Sequence, residues 1–153
     1  MFRAGTIMAL VLVLGACAPT PPSGRNLPKG ALDDAIGAAI GDPATCVLLA
    51  DRASRKVVYR YGEAYVCART LPACDRPGMM TVEDALEHAE RPGGRAASCA
   101  SNPEASRGVA WASGRVESAR RDLIYSAVME GDRTRPGREI AVRLRDALAK
   151  AGL

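Results

Sequence analysis

Five cysteines and a single histidine are the residues of this 153-residue chain best suited to act as nucleophile, base or metal ligand. Cys67 and Cys74 enclose six residues of the turn-rich stretch AYVCARTLPACDRPG, residues 64–78. A thiolate nucleophile needs a base or cation that lowers its pKa. The only imidazole is His88, on an expected helix, and no spacing directs it at Cys74; Arg69 and Arg76 are the local cations. Zinc sites pair ligands about two to four residues apart, and His88 lies eleven residues from the nearest cysteine, Cys99. His88 therefore reads as a helix-surface residue, and no metal or other cofactor is expected. Setting Cys17 aside, an even set remains: Cys46, Cys67, Cys74 and Cys99. In an exported chain that set reads as two disulfides. The short Cys67–Cys74 loop closes most easily, which leaves Cys46–Cys99 to tie the later loop to the first strand.

Other catalytic patterns are missing. The chain has no G-x-S-x-G, Walker loop, H-E-x-x-H or dinucleotide fingerprint. Asp33–Asp34 and Glu83–Asp84 are adjacent pairs, and adjacent residues on a helix diverge, so neither pair can flank one scissile bond. A hydrolase reading would have to use Cys74 or a serine such as Ser113.

Charge adds a second kind of candidate. The chain carries 21 basic and 17 acidic residues, a formal +4, and the basic residues are almost all scattered arginines. No stripe suited to nucleic acid is formed. Arg115, Arg120, Arg121, Arg135 and Arg138 fall around the last hairpin and last helix. They make a candidate surface for an anionic envelope protein or polymer.

The elements that must position these residues follow from periodicity. Leu32, Ile36 and Ile40, with Ala35 and Ala39, mark a helical face ended by Gly41-Asp42-Pro43, with Asp33 and Asp34 in its first turn. Cys46–Ala50 and Lys56–Tyr61 are β-prone runs joined by DRASR, with Val57, Tyr59 and Tyr61 on one side. Thr81 suits an N-cap for a short helix through Ala89. Residues 91–107 read as a long loop. A second hairpin pairs Gly108–Val116 with Asp122–Met129, and a last helix starts near Pro136. The order is α-β-β-α-β-β-α. It predicts an α+β fold, an antiparallel sheet from two hairpins with the terminal helices over one face.

The N-terminus, MFRAGTIMALVLVLGAC, holds Arg3, an apolar run too short to span a bilayer, and small residues before Cys17. It resembles a bacterial lipobox. The resemblance implies removal of residues 1–16, acylation of Cys17 and, with Ala18 following, sorting to the outer membrane. Residues 17–29 then read as lipidated cysteine and tether, and residues 30–153 as one periplasmic domain. A second resemblance rests on DPATCVLLADRASRKVVYRYG and on GVAWASGRV with DLIYSAVMEGD. These stretches look like the first and last strands of serine penicillin-recognising proteins, class D β-lactamases in particular. Cys74-Asp75-Arg76-Pro77 falls where that family has S-x-x-K, but no Ser-x-x-Lys occurs, and Ala112-Ser113-Gly114 lacks the lysine of its K-T/S-G motif. The resemblance thus implies a reduced core with no catalytic residue. The expected function is a lipid-anchored, non-catalytic binding or scaffold module. The alternatives are a penicillin-recognising or other hydrolase and a lipoprotein that binds a small ligand.

Overall fold

The computed structural model describes residues 27–117 and 121–153. Helix α1 (Lys29–Ile40) precedes the hairpin β1 (Thr45–Asp51) and β2 (Val57–Tyr61). A segment of little regular structure follows, with a single turn α2 (Ala64–Cys67), a two-residue ribbon β3 (Leu71–Pro72) and β4 (Met79–Met80), and a 3₁₀ turn (Asp84–His88). The chain then forms β5 (Arg95–Ala100), β6 (Gly108–Arg115), β7 (Leu123–Gly131) and helix α3 (Gly137–Lys150). The fold is α+β, with one five-stranded antiparallel sheet in the order β2-β1-β7-β6-β5.

Three layers explain the composition. The central strands β1 and β7 are buried on both faces, so they read as near-continuous aliphatic runs. On one face Val47, Leu49, Ala110, Ala112 and Ala127 meet Leu32, Ile36, Ile140 and Leu144 from α1 and α3. On the other, Leu48, Val109, Trp111, Ile124 and Val128 lie under a cap formed by residues 63–94, which contributes Val66, Leu71, Met80, Val82 and Leu86. Alanines under the helices let them approach the sheet closely, which suits a chain with 4% aromatic residues.

Several expectations change. Residues 91–107 are not simply a loop: Arg95–Ala100 pairs along β6 as an edge strand. Its sequence, RAASCA, has no β-branched residue, so its strand character comes from its neighbour and not from propensity. The helix expected after Thr81 shrinks to the 3₁₀ turn, although Thr81 Oγ1 accepts from Asp84 N and Asp84 Oδ2 accepts from Thr81 N. α1 begins at Lys29, so its first turn holds no acid, and Asp33 Oδ1 instead accepts a 2.6 Å bond from the Tyr59 hydroxyl. Leu27–Lys29, read as the end of the tether, belong to the fold. An irregularity in the β1–β2 register at Val58 breaks the alternation in β2. Val57 therefore packs on the cap side and Tyr59 on the helix side.

The disulfides are Cys46–Cys67 and Cys74–Cys99, not Cys67–Cys74 and Cys46–Cys99. Sheet order gives the reason. Cys46 is on β1 and Cys99 on β5, with β7 and β6 between them. Three strand spacings are about 14 Å, beyond the ~7 Å limit for bridged Cα atoms. The cap crosses the sheet from β1 to β5, so each end of the crossing is fastened to the strand beneath it.

Candidate functional site

The groups best suited to covalent chemistry are shut beneath the cap. The register places Arg95, Ser113, Ser126 and Leu48 in one row across the sheet on the cap side. Ser126 Oγ donates to the Val82 carbonyl at 2.6 Å. Arg95 is held along one edge of its guanidinium plane, while Nη1 has no hydrogen-bond partner among the described residues. Its Nε donates to Asp75 Oδ2 at 2.6 Å and its Nη2 to Asp75 Oδ1 at 2.5 Å and to the Ala73 carbonyl. Its Cζ lies 5.9 Å from the Trp111 ring centroid, a cation–π contact. Asp75, which falls in the stretch aligned with S-x-x-K, is thus a counter-ion to a buried arginine.

His88 is not the surface residue its position suggests: it is 6% exposed. Ser113 is 2% exposed, and neither its Oγ nor His88 Nε2 has a hydrogen-bond partner among the described residues. They are not bonded to each other, and both are closed off from substrate. This is not a nucleophile–base pair. Cys74 and the other three described cysteines are oxidised, so no thiolate is poised either. Among the described residues no three His, Cys, Asp or Glu side chains are grouped as metal ligands.

Glu130, at the end of β7, was not singled out by its sequence context. Its side chain is 3% exposed. Oε1 accepts from Ser101 Oγ and Arg107 Nε, both at 2.8 Å; Oε2 accepts from Arg107 Nη2 at 2.8 Å and Arg69 Nη1 at 2.9 Å. Four donors on two oxygens satisfy a buried carboxylate and tie the cap, through Arg69, to the turn after β5. The only hint in the sequence is an acid ending the apolar run LIYSAVME.

These ion pairs and His88 set an acid limit on stability. Hydrogen bonds from Arg107 hold the Glu130 carboxyl at about 2, and those from Arg95 hold Asp75 at about 2. Both lie below the unfolded value of roughly 4. The native state binds fewer protons, so the stabilisation is complete above the unfolded pKa and is lost as pH falls from about 4.5 to about 2. Burial, with Arg91, Arg76 and Arg95 nearby, depresses His88, so its share is lost at higher pH, below about 6.5. Urea midpoints should fall in two stages as pH is lowered. Glu130→Gln should flatten the lower stage, and a midpoint constant from pH 5 down to pH 2.5 would contradict this assignment.

The predicted arginine surface divides in two. Arg115 ends β6, whereas Arg135 and Arg138 flank the start of α3 beside the opposite end of that strand, where Thr134 Oγ1 donates to the Gly108 carbonyl. Eight strand residues put roughly 24 Å between these ends, so Arg115 does not share one patch with Arg135 and Arg138. Arg135 is also bonded to Glu139 at 2.8 Å. Arg121 lies on the Arg115 side, and Arg120 falls outside the described residues.

The Arg115 end has a cleft of about 440 Å³ lined by Arg91, Arg115, Arg145, Gly94, Gly114 and Tyr125, with Glu90 and Glu117 at its sides. The fold builds it from three places. Arg91 comes from the turn before β5, and Gly94, at φ +71°, lets that turn enter the strand against the Ser113 carbonyl. Arg145 comes from the last turns of α3. Tyr125 lies flat over β6 because its neighbour there is Gly114, where an added Cβ would come within 3.1 Å of the ring. No side-chain hydrogen bond or ion pair joins the Arg91, Arg115 or Arg145 guanidinium to another described residue. Glu90 is already engaged by Arg52 at 3.3 Å and Arg55 at 3.4 Å. Among the described lining residues Glu117 is then the one acid left to oppose the three guanidinium groups, which leaves the cleft net cationic.

No family model, curated protein or solved structure matches this chain. Sequence reasoning found Arg115 but missed Arg91 and Arg145, which come together only because α3 runs back along the sheet.

Proposed function

We propose that this protein is a lipid-anchored, non-catalytic binding module on the periplasmic face of the outer membrane, and that it engages an anionic envelope partner at the Arg91–Arg115–Arg145 end. The observation that carries the reading is the contrast between two regions. Under the cap, the potential nucleophiles and the one imidazole are buried or oxidised. At the end of the sheet, three arginines stand unpaired around an open cleft. Unpaired guanidinium groups are suited to carboxylate and phosphate recognition.

Mild crosslinking in cells followed by capture is the test. A partner held by the wild type should be lost from the Arg91→Ser/Arg115→Ser/Arg145→Ser variant and kept by Arg135→Ser/Arg138→Ser. An identical crosslinked set for all three proteins would overturn the reading.

The anchor rests on LGAC ending the apolar run, in a segment outside the described residues. Cells fed a clickable palmitate analogue should label the wild type, and Cys17→Ser should lose that label. Equal label on both would remove the lipid anchor from the proposal.

A further inference from the structure

A second cavity, of about 180 Å³, adjoins the arginine cleft. The two share Arg115, Glu117, Tyr125 and Arg145. Beyond these, the second is walled mainly by Val116, Leu148, Ala149 and Leu153, with Asp146 the one further charged side chain among the described lining residues. The site therefore has a cationic half and an apolar half, and Tyr125 stands at the junction. Tyr125 is 7% exposed and lines both cavities. A phenol at the junction of two cavities can offer a ligand atom a hydrogen bond.

We infer that this bipartite site binds an anionic group attached to a compact apolar group, a carboxylate or phosphate monoester whose hydrocarbon part is about the size of one aliphatic side chain. The inference rests on the anionic-partner reading and specifies the chemistry of the group recognised. Arg115 and Arg145 hold the anion, and the Tyr125 hydroxyl donates to it. The hydrocarbon displaces water from between Val116 and Leu148. An apolar pocket of this size rejects a long chain, and the cationic rim rejects a neutral one. Asp146 sits on the apolar side, so a second negative charge at the far end of the ligand is disfavoured.

The test uses the full chain with ring-labelled tyrosine, titrated in parallel with acetate, butanoate and hexanoate, and with methyl and butyl phosphate. Tyr125→Phe identifies the reporting resonance among the four tyrosines. Affinity should rise roughly fourfold per methylene buried until the pocket is full. Ala149→Trp, which fills the apolar half at an exposed position, should flatten both series. Arg115→Ser/Arg145→Ser should weaken every member, and Arg135→Ser/Arg138→Ser should weaken none. A consistently stronger phosphate series identifies the head group as a phosphate monoester, and a consistently stronger carboxylate series identifies a carboxylate. Equal affinity for short and long members, a length series that survives Ala149→Trp, or no binding by any member overturns the inference. If the arginine-dependent crosslinked partner persists in that case, only the apolar half of the argument falls. If that partner is also absent, the reading beneath it falls too.

Discussion

Replacing Cys46 and Cys67 together by alanine should lower the melting temperature by about 10 °C and loosen the cap before the sheet. The bond joins α2 to β1 across a sequence separation of 21 residues. Closing a loop of that size in the unfolded chain is worth roughly 3 kcal/mol, and about 3 °C accompanies each kcal/mol in a chain of this length. The cap is where the loss should appear. Among the described residues it has one helical turn, a two-residue ribbon and one 3₁₀ turn, and such a layer has few backbone hydrogen bonds of its own to resist opening. Hydrogen exchange should accelerate across residues 64–90 and stay slow in β1, β6 and β7. The second bond should matter less. Cys74 sits at φ +69°, an unfavourable backbone for any side-chain-bearing residue. Freeing it from Cys99 releases that strain and offsets part of the lost constraint. If the Cys74→Ala/Cys99→Ala pair costs as much as the first, or if protection falls uniformly over the whole chain, the cap is not the independent layer described here.

The same dependence on long-range pairing explains what could be read from the sequence. The helical faces of Leu32, Ile36 and Ile40 and of Ile140, Leu144 and Leu148 are periodic and bury as their spacing indicates. β1, β6 and β7 are aliphatic runs with clear ends. Each of these signals is local. β5 carries none, because alanine and serine become a strand only when β6 offers its edge. The disulfide pairing was equally hidden. Loop length favours Cys67–Cys74, but the separation of β1 and β5 in the sheet decides the matter, and strand order was not available from the sequence. His88 and Arg95 are polar residues buried by a cap whose path is irregular, so no periodicity announces their burial. The cleft failed for a related reason. Arg91, Arg115 and Arg145 are far apart in the chain, and their meeting depends on the return of α3 and on a tyrosine lying over a glycine.

Gly137→Ala should destabilise the protein by roughly 3 kcal/mol, although helix propensity alone predicts a gain of about 1 kcal/mol for the same change. Gly137 opens α3 directly over the sheet. A Cβ there would stand 2.5 Å from the Trp111 carbonyl oxygen, 2.7 Å from that of Ala97 and 2.9 Å from the Ala97 nitrogen. These are backbone atoms of paired strands, so no side chain can swing aside to make room. The helix must lift instead. Lifting breaks the 2.8 Å bond from Gly137 N to Ser98 Oγ and loosens Ile140 and Leu144, both fully buried against the sheet. Overlap with fixed backbone therefore outweighs propensity. Gly30, near the start of α1, provides the matched control. An added Cβ at that position meets nothing within 4 Å, so Gly30→Ala should follow propensity and stabilise by up to about 1 kcal/mol. Urea denaturation of the two variants beside the wild type should move the midpoint in opposite directions. A neutral or stabilising Gly137→Ala would mean that α3 does not press on Trp111 and Ala97 as closely as these distances require.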